Sequence, residues 1–194
     1  MRLSRHAGIL LACLVAAPSA WAHGLEAAGF LAGVAHPVGG ADHLLAMVAV
    51  GIVSTRAGRS LVWGLPATFL AGMALGFFCG LGGVAFSGAE HGIVVSVIVL
   101  GLLVAAPGRW LPYAAIVVVQ AFGWCHGYAH GHEWPAHTSP WAFAIGFLGT
   151  TAGLHAIGVI TGLLYREQPQ PQPYFAATGL ALSAVGAVMA VGGL

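Results

Sequence analysis

"AHPVGGADHLLAMVAVG", residues 35–51, sets two histidines and an aspartate inside a run otherwise apolar enough for lipid. Pro37 and the pair Gly39 and Gly40 interrupt that run, whereas 42–55 reads as clean helix. In one continuous helix His36 and His43 stand seven residues apart, two turns, on a shared face. The proline and glycines favour a break instead, which frees backbone carbonyls as additional polar groups.

The rest of the chain makes this stretch unusual. Of 194 residues, 59% are hydrophobic and 6% charged, with mean hydropathy +0.91. A soluble domain carries about 25% charged residues, so the composition marks an integral membrane protein. A net charge of +1 without lysine gives no sign of a nucleic-acid partner, and no GxxxxGK[ST] loop supplies an ATPase motif. Histidine is the anomaly, with ten against five acidic residues. The three cysteines, at 13, 79 and 125, form no CxxC pair.

Residues 1–22 read as a secretory signal: a positive start "MRLSRH", an apolar core "AGILLACLVAAP" and the small-x-small site "AWA" at 20–22. Cleavage after Ala22 removes Cys13 and leaves a membrane domain, 23–194, that begins with His23. That residue then offers its imidazole and a free α-amine to one metal ion. A membrane-crossing helix needs about 20 apolar residues. The sequence offers six stretches: 25–55, 61–86, 92–106, 111–125, 141–165 and 174–192, the third short and the fourth able to continue into the histidine-rich segment. The expected fold is therefore all-α, an integral membrane protein of six transmembrane helices after a cleavable signal peptide.

Charge supports a direction. With the mature N-terminus outside, Arg56, Arg59, Arg109 and Arg166 all fall on the cytoplasmic side, as the positive-inside rule requires. Both histidine motifs then face the periplasm of a bacterial inner membrane, with Glu90 and His91 in an outer loop, and His155 alone lies deep. Small-residue steps at Gly72, Gly76 and Gly80, at Gly149 and Gly153, and at Gly158 and Gly162 are expected to let helices approach closely.

Two constellations carry the chemistry. The first is His36, Asp42 and His43. The second, "CHGYAHGHE" at 125–133, spaces His126, His130 and Glu133 by four and three residues, on one helical stripe. Together they hold four imidazoles and two carboxylates, with no adjacent lysine or arginine to pair them. An ionised side chain at the bilayer centre costs at least ~2.5 kcal/mol and marks function by default. Imidazole with carboxylate oxygen suits Ni²⁺, Co²⁺, Zn²⁺ or Cu²⁺, and no thiolate cluster argues for a softer ion. His91 and His137 read as solvated surface, and Met47, Met73, Met189, Cys79 and Cys125 as packing. His132 lies on the opposite side of its helix from His130. His155 is either a ligand or a core histidine bonding a helix carbonyl.

At these residues the chain resembles the HupE/UreJ family of bacterial membrane proteins. The likeness rests on "HPVGGADHLLAMVAVG" (36–51) and "HGYAHGHE" (126–133), with "LHAIG" around His155 and a signal sequence ending before His23. Family members usually carry an aromatic directly before the first histidine of the second motif, where Cys125 stands here, after Trp124. The resemblance implies a secondary nickel permease, with cobalt as another substrate. It also implies functional roles for His36, Asp42 and His43 in the first motif and His126, His130 and Glu133 in the second. It, and not ligand chemistry, selects nickel.

The expectation that joins these readings is metal uptake through a periplasm-facing site, with His155 on the inward path. No prosthetic group is expected, the metal being cargo bound in transit. The expected partners are the ion and membrane lipid, and a homo-oligomer is compatible with the sequence. Inward movement of a divalent ion gains about 4.6 kcal/mol per 100 mV of potential. Histidine ligands must be neutral, so uptake should fall below about pH 6.5. The rival is a zinc-dependent intramembrane hydrolase, with His126, His130 and Asp42 or His36 on zinc and Glu133 as base. Such an enzyme needs three protein ligands, fewer than this chain offers. A metal-sensing or delivery subunit that does not transport would carry the same motifs.

Overall fold

Pro37 has no N–H to give the Gly33 carbonyl, and at Gly40 the backbone is extended, with φ −111° and ψ 126°. The first apolar stretch therefore breaks into two helices bent by 80°. The computed structural model describes residues 29–106, 111–134 and 139–192. The signal peptide expected over 1–22, His23, Arg109 and His137 lie outside the described residues. Among the described residues there are seven helices: α1 (Gly29–Gly39), α2 (Ala41–Arg56), α3 (Leu61–Leu81), α4 (Ala89–Ala105), α5 (Leu111–His132), α6 (Pro140–Arg166) and α7 (Gln172–Gly192).

One continuation that the sequence reading allowed is present, and one placement differs from it. α5 runs through the histidine-rich segment to His132. Glu90 and His91 are not in a loop but in the first turn of α4. α3, α6 and α7 are each long and apolar enough to cross a membrane, and α1 with α2 is so when taken as one bent span. α4 is apolar but has 17 residues. α5 has 22 residues and carries His126, His130 and His132 near its C-terminal end. The outward faces are apolar, with Trp63, Leu75, Val117, Ile145 and Val188 exposed, as lipid contact requires. This is an all-helical membrane protein.

α2 is the central helix. It touches each of the other six, and every residue from His43 to Thr55 is buried. Its Ser54 and Thr55 hydroxyls donate back to the carbonyls of Gly51 and Ile52, so the buried end leaves no side-chain donor idle. Glycine sets how close the neighbours come. A Cβ at Gly127 would strike the Met73 carbonyl, and one at Gly76 would strike the Trp124 carbonyl, so α3 and α5 interlock backbone to backbone. Gly51 and Gly158 do the same for α2 and α6. Gly149 and Gly153, expected to act likewise, face open space, because that side of α6 is exposed.

Candidate metal centre

A straight helix would separate His36 and His43 by about 10 Å of rise. The break at Gly40 folds α1 back on α2 instead, and the two ring centres lie 6.0 Å apart. The break that Pro37 and the glycines favour is thus formed, and its bend gathers the rings more tightly than a shared helical face would. α5 supplies the third ring: His130 lies 4.2 Å from His36 and 4.6 Å from His43, centre to centre. The donor atoms of His36, His43 and His130 all fall within 4.8 Å of one another. An ion about 2.1 Å from each nitrogen spans at most ~4.2 Å between donors, so small side-chain rotations close the set around one ion.

The walls are aromatic. Phe147 of α6 lies 4.4 Å from the His130 ring, and Phe143 lies 5.8 Å from that of His36. His43, His130 and His126 are 8%, 3% and 0% exposed, so an imidazole here is largely cut off from water. Asp42, in the first turn of α2, anchors His43: its Oδ1 accepts the His43 Nδ1–H at 2.7 Å and the backbone N–H at 2.8 Å. The helix N-terminus favours that carboxylate charge. His126, one turn inward from His130 on α5, donates Nδ1–H to the Phe122 carbonyl at 2.8 Å. Its ring lies 5.1 Å from His43. A carbonyl or carboxylate can only accept from these rings, so in each neutral imidazole the lone pair is on Nε2. Metal-binding histidines are held this way, with the far nitrogen donating to an oxygen.

Those Nε2 atoms have no partner. Among the described residues, the buried side-chain nitrogen and oxygen atoms without a hydrogen bond are His43 Nε2, His126 Nε2, both nitrogens of His130, Thr151 Oγ1 and His155 Nε2. Buried polar atoms normally find partners, and exceptions that gather in one place point to a ligand.

The other expected residues are placed differently. Glu133 follows the end of α5, is exposed, and is not among the donors within 4.8 Å; its backbone N–H bonds the Ala129 carbonyl at 3.0 Å. His155 is buried in α6 away from the cluster and donates Nδ1–H to the Met47 carbonyl at 2.7 Å. His132 is exposed and stacks on Tyr128. Glu90 was passed over in the sequence; from the first turn of α4 its charge reaches Glu133, His43 and Asp42. Nothing in local spacing could reveal this, since tertiary packing alone joins α4 to the motifs. Phe69 and Thr151 were also passed over, having no chemistry that spacing would flag.

Fold and site together define a class: an all-helical membrane protein with a buried histidine cluster at one end of its bundle. The chain belongs to the HupE/UreJ family, described as HupE / UreJ protein, which matches residues 11–189. It is 38% identical over 184 residues to "Protein HupE" of Rhizobium leguminosarum bv. viciae, covering 94% of this chain and 95% of that protein. No solved structure matches it. The family consists of transporters and accessory proteins rather than enzymes, which sets the hydrolase reading aside.

Proposed function

We propose that this protein is a secondary permease for divalent transition-metal ions, with Ni²⁺ as principal substrate and Co²⁺ as another. The observation that carries the proposal is the set of three imidazoles, from α1, α2 and α5, whose donors lie within 4.8 Å, with His43 Nε2 and both nitrogens of His130 buried and without a partner. Neutral imidazole suits a borderline ion, and Asp42 offsets part of its charge. Nickel in particular follows from family resemblance.

In this reading the bent α1–α2 pair counts as one crossing and α3 to α7 as five more. That restores the six-helix membrane domain of 23–194 behind a cleaved signal peptide. The histidine end then faces the periplasm of a bacterial inner membrane, and the metal is captured there. Its water is exchanged for imidazole, with Asp42, Glu90 and Glu133 drawing cations towards the mouth. Membrane potential draws the ion inward past His155. No prosthetic group is required. A delivery subunit that binds metal without moving it is the alternative, and flux decides between them.

Binding is tested first, on purified protein in detergent by isothermal titration. Wild type should bind Ni²⁺, and His36→Ala, His43→Ala and His130→Ala should each weaken binding by roughly tenfold or more, the lower end of losses seen even for outer-shell partners. Unchanged affinity in all three variants, with helix content retained, would refute the site.

A further inference from the structure

The unpartnered polar atoms do not stop at the cluster. On α5, His126 is one turn inward of His130. On α6, Phe147, Thr151 and His155 recur every fourth residue, about 6 Å of rise per step, and so line one face. Phe147 abuts the outer cluster. Further along, Thr151 Oγ1 and His155 Nε2 are buried without partners, as is His126 Nε2. The Met47 carbonyl fixes the His155 tautomer, which leaves the lone pair on Nε2. That arrangement repeats what Asp42 does for His43 and the Phe122 carbonyl does for His126.

One ring touches both His126 and His155. Phe69 of α3 has its centre 5.3 Å from that of His126 and 5.1 Å from that of His155, at 87° to the latter. It is fully buried, and its backbone is pressed against Gly123 of α5. Past His155, among the described residues, the unpartnered buried side-chain atoms end: Val159 is buried, and Gly158 packs on the Val48 carbonyl of α2.

We infer that His155, with Thr151, forms a second, inner station for the divalent ion, and that Phe69 is the barrier separating it from His126 and the outer cluster. The inference rests on the permease reading and adds to it a place where the ion waits. A phenyl ring offers no lone pair. Closed, it divides the two stations; swung aside, it lets His126 Nε2 pass the ion to His155 Nε2.

The test uses the full chain in proteoliposomes holding a nickel-sensitive dye. Phe69→Ala should speed Ni²⁺ uptake several-fold, and Phe69→Leu should do so too while keeping the core filled if the alanine variant fails to fold. Phe69→Trp should slow it. His155→Ala should cut uptake roughly tenfold while leaving the affinity of the outer site unchanged, a split that a merely structural histidine would not give. A second readout needs no transport. In spheroplasts, His155→Cys combined with Cys79→Ser and Cys125→Ser meets a cationic methanethiosulfonate added outside. Residue 155 should react roughly tenfold faster when Phe69 is leucine. Equal reaction rates, or uptake indifferent to all three Phe69 variants, would overturn the barrier. Absent wild-type uptake, with labelling still dependent on residue 69, would sink the permease reading and leave the barrier standing.

Discussion

Asp42 Oδ1 accepts both the ring N–H and the backbone N–H of His43, at 2.7 and 2.8 Å. One carboxylate thereby fixes the tautomer, the ring orientation and part of the charge at the site. Asp42→Asn keeps the size and one acceptor but loses the charge. Nickel affinity should fall by about 10–100-fold, the usual cost of losing an outer-shell partner to a metal-bound histidine. Affinity equal to wild type in the same titration would mean that Asp42 serves only to start α2. His130 differs, because neither of its nitrogens has a protein partner. Its orientation comes from packing, with the rings of His36, His43 and Phe147 against it. The motifs named these residues from spacing. The partner carbonyls of Phe122 and Met47 were not legible, because every residue has a carbonyl and only the fold decides which one meets an imidazole.

At the scale of helices, glycine decides what can meet. α3 and α5 present glycines to one another at every fourth position, Gly72, Gly76 and Gly80 against Gly123, Gly127 and Gly131. Gly127→Leu should push the pair apart, as a side chain there meets the Met73 carbonyl and not a movable side chain. Overpacking of this kind costs about 1–3 kcal/mol and occasionally more, read as a lowered melting temperature in detergent. Gly149→Ala is the control: with open space around it, helix propensity makes it neutral or stabilising by up to about 1 kcal/mol. Equal melting temperatures for the two variants would contradict the interlocked pair. The sequence revealed such steps but could not sort them, since Gly149 and Gly158 look alike until one knows which faces lipid. It revealed the Pro37 and Gly40 break too, though not that the bend would draw His36 towards His43. Phe69 was invisible for a simpler reason: it is one of nine phenylalanines in an apolar chain.

Across the whole molecule, the two ends of the bundle differ in chemistry. At one end are the imidazoles and Asp42; at the other, Arg56 and Arg166. Arg56 donates to the Val104 carbonyl and to Gln172 Oε1, and lies 4.6 Å over the Phe175 ring. Arg166 donates to the Thr55 carbonyl at 3.1 Å. The arginines thus cap the last carbonyls of α2 and α4, as cations do at helix C-termini. Histidine end, buried inner imidazole and arginine end succeed one another along α2 and α6, which suits a protein that receives a cation on one side and releases it on the other. The measurement that tests this most directly is Ni²⁺ uptake into proteoliposomes under an inside-negative potential, for wild type and His130→Ala. Uptake should be present in wild type and be lost in the variant. Metal binding without uptake in wild type, or uptake that survives the loss of His130, would contradict it.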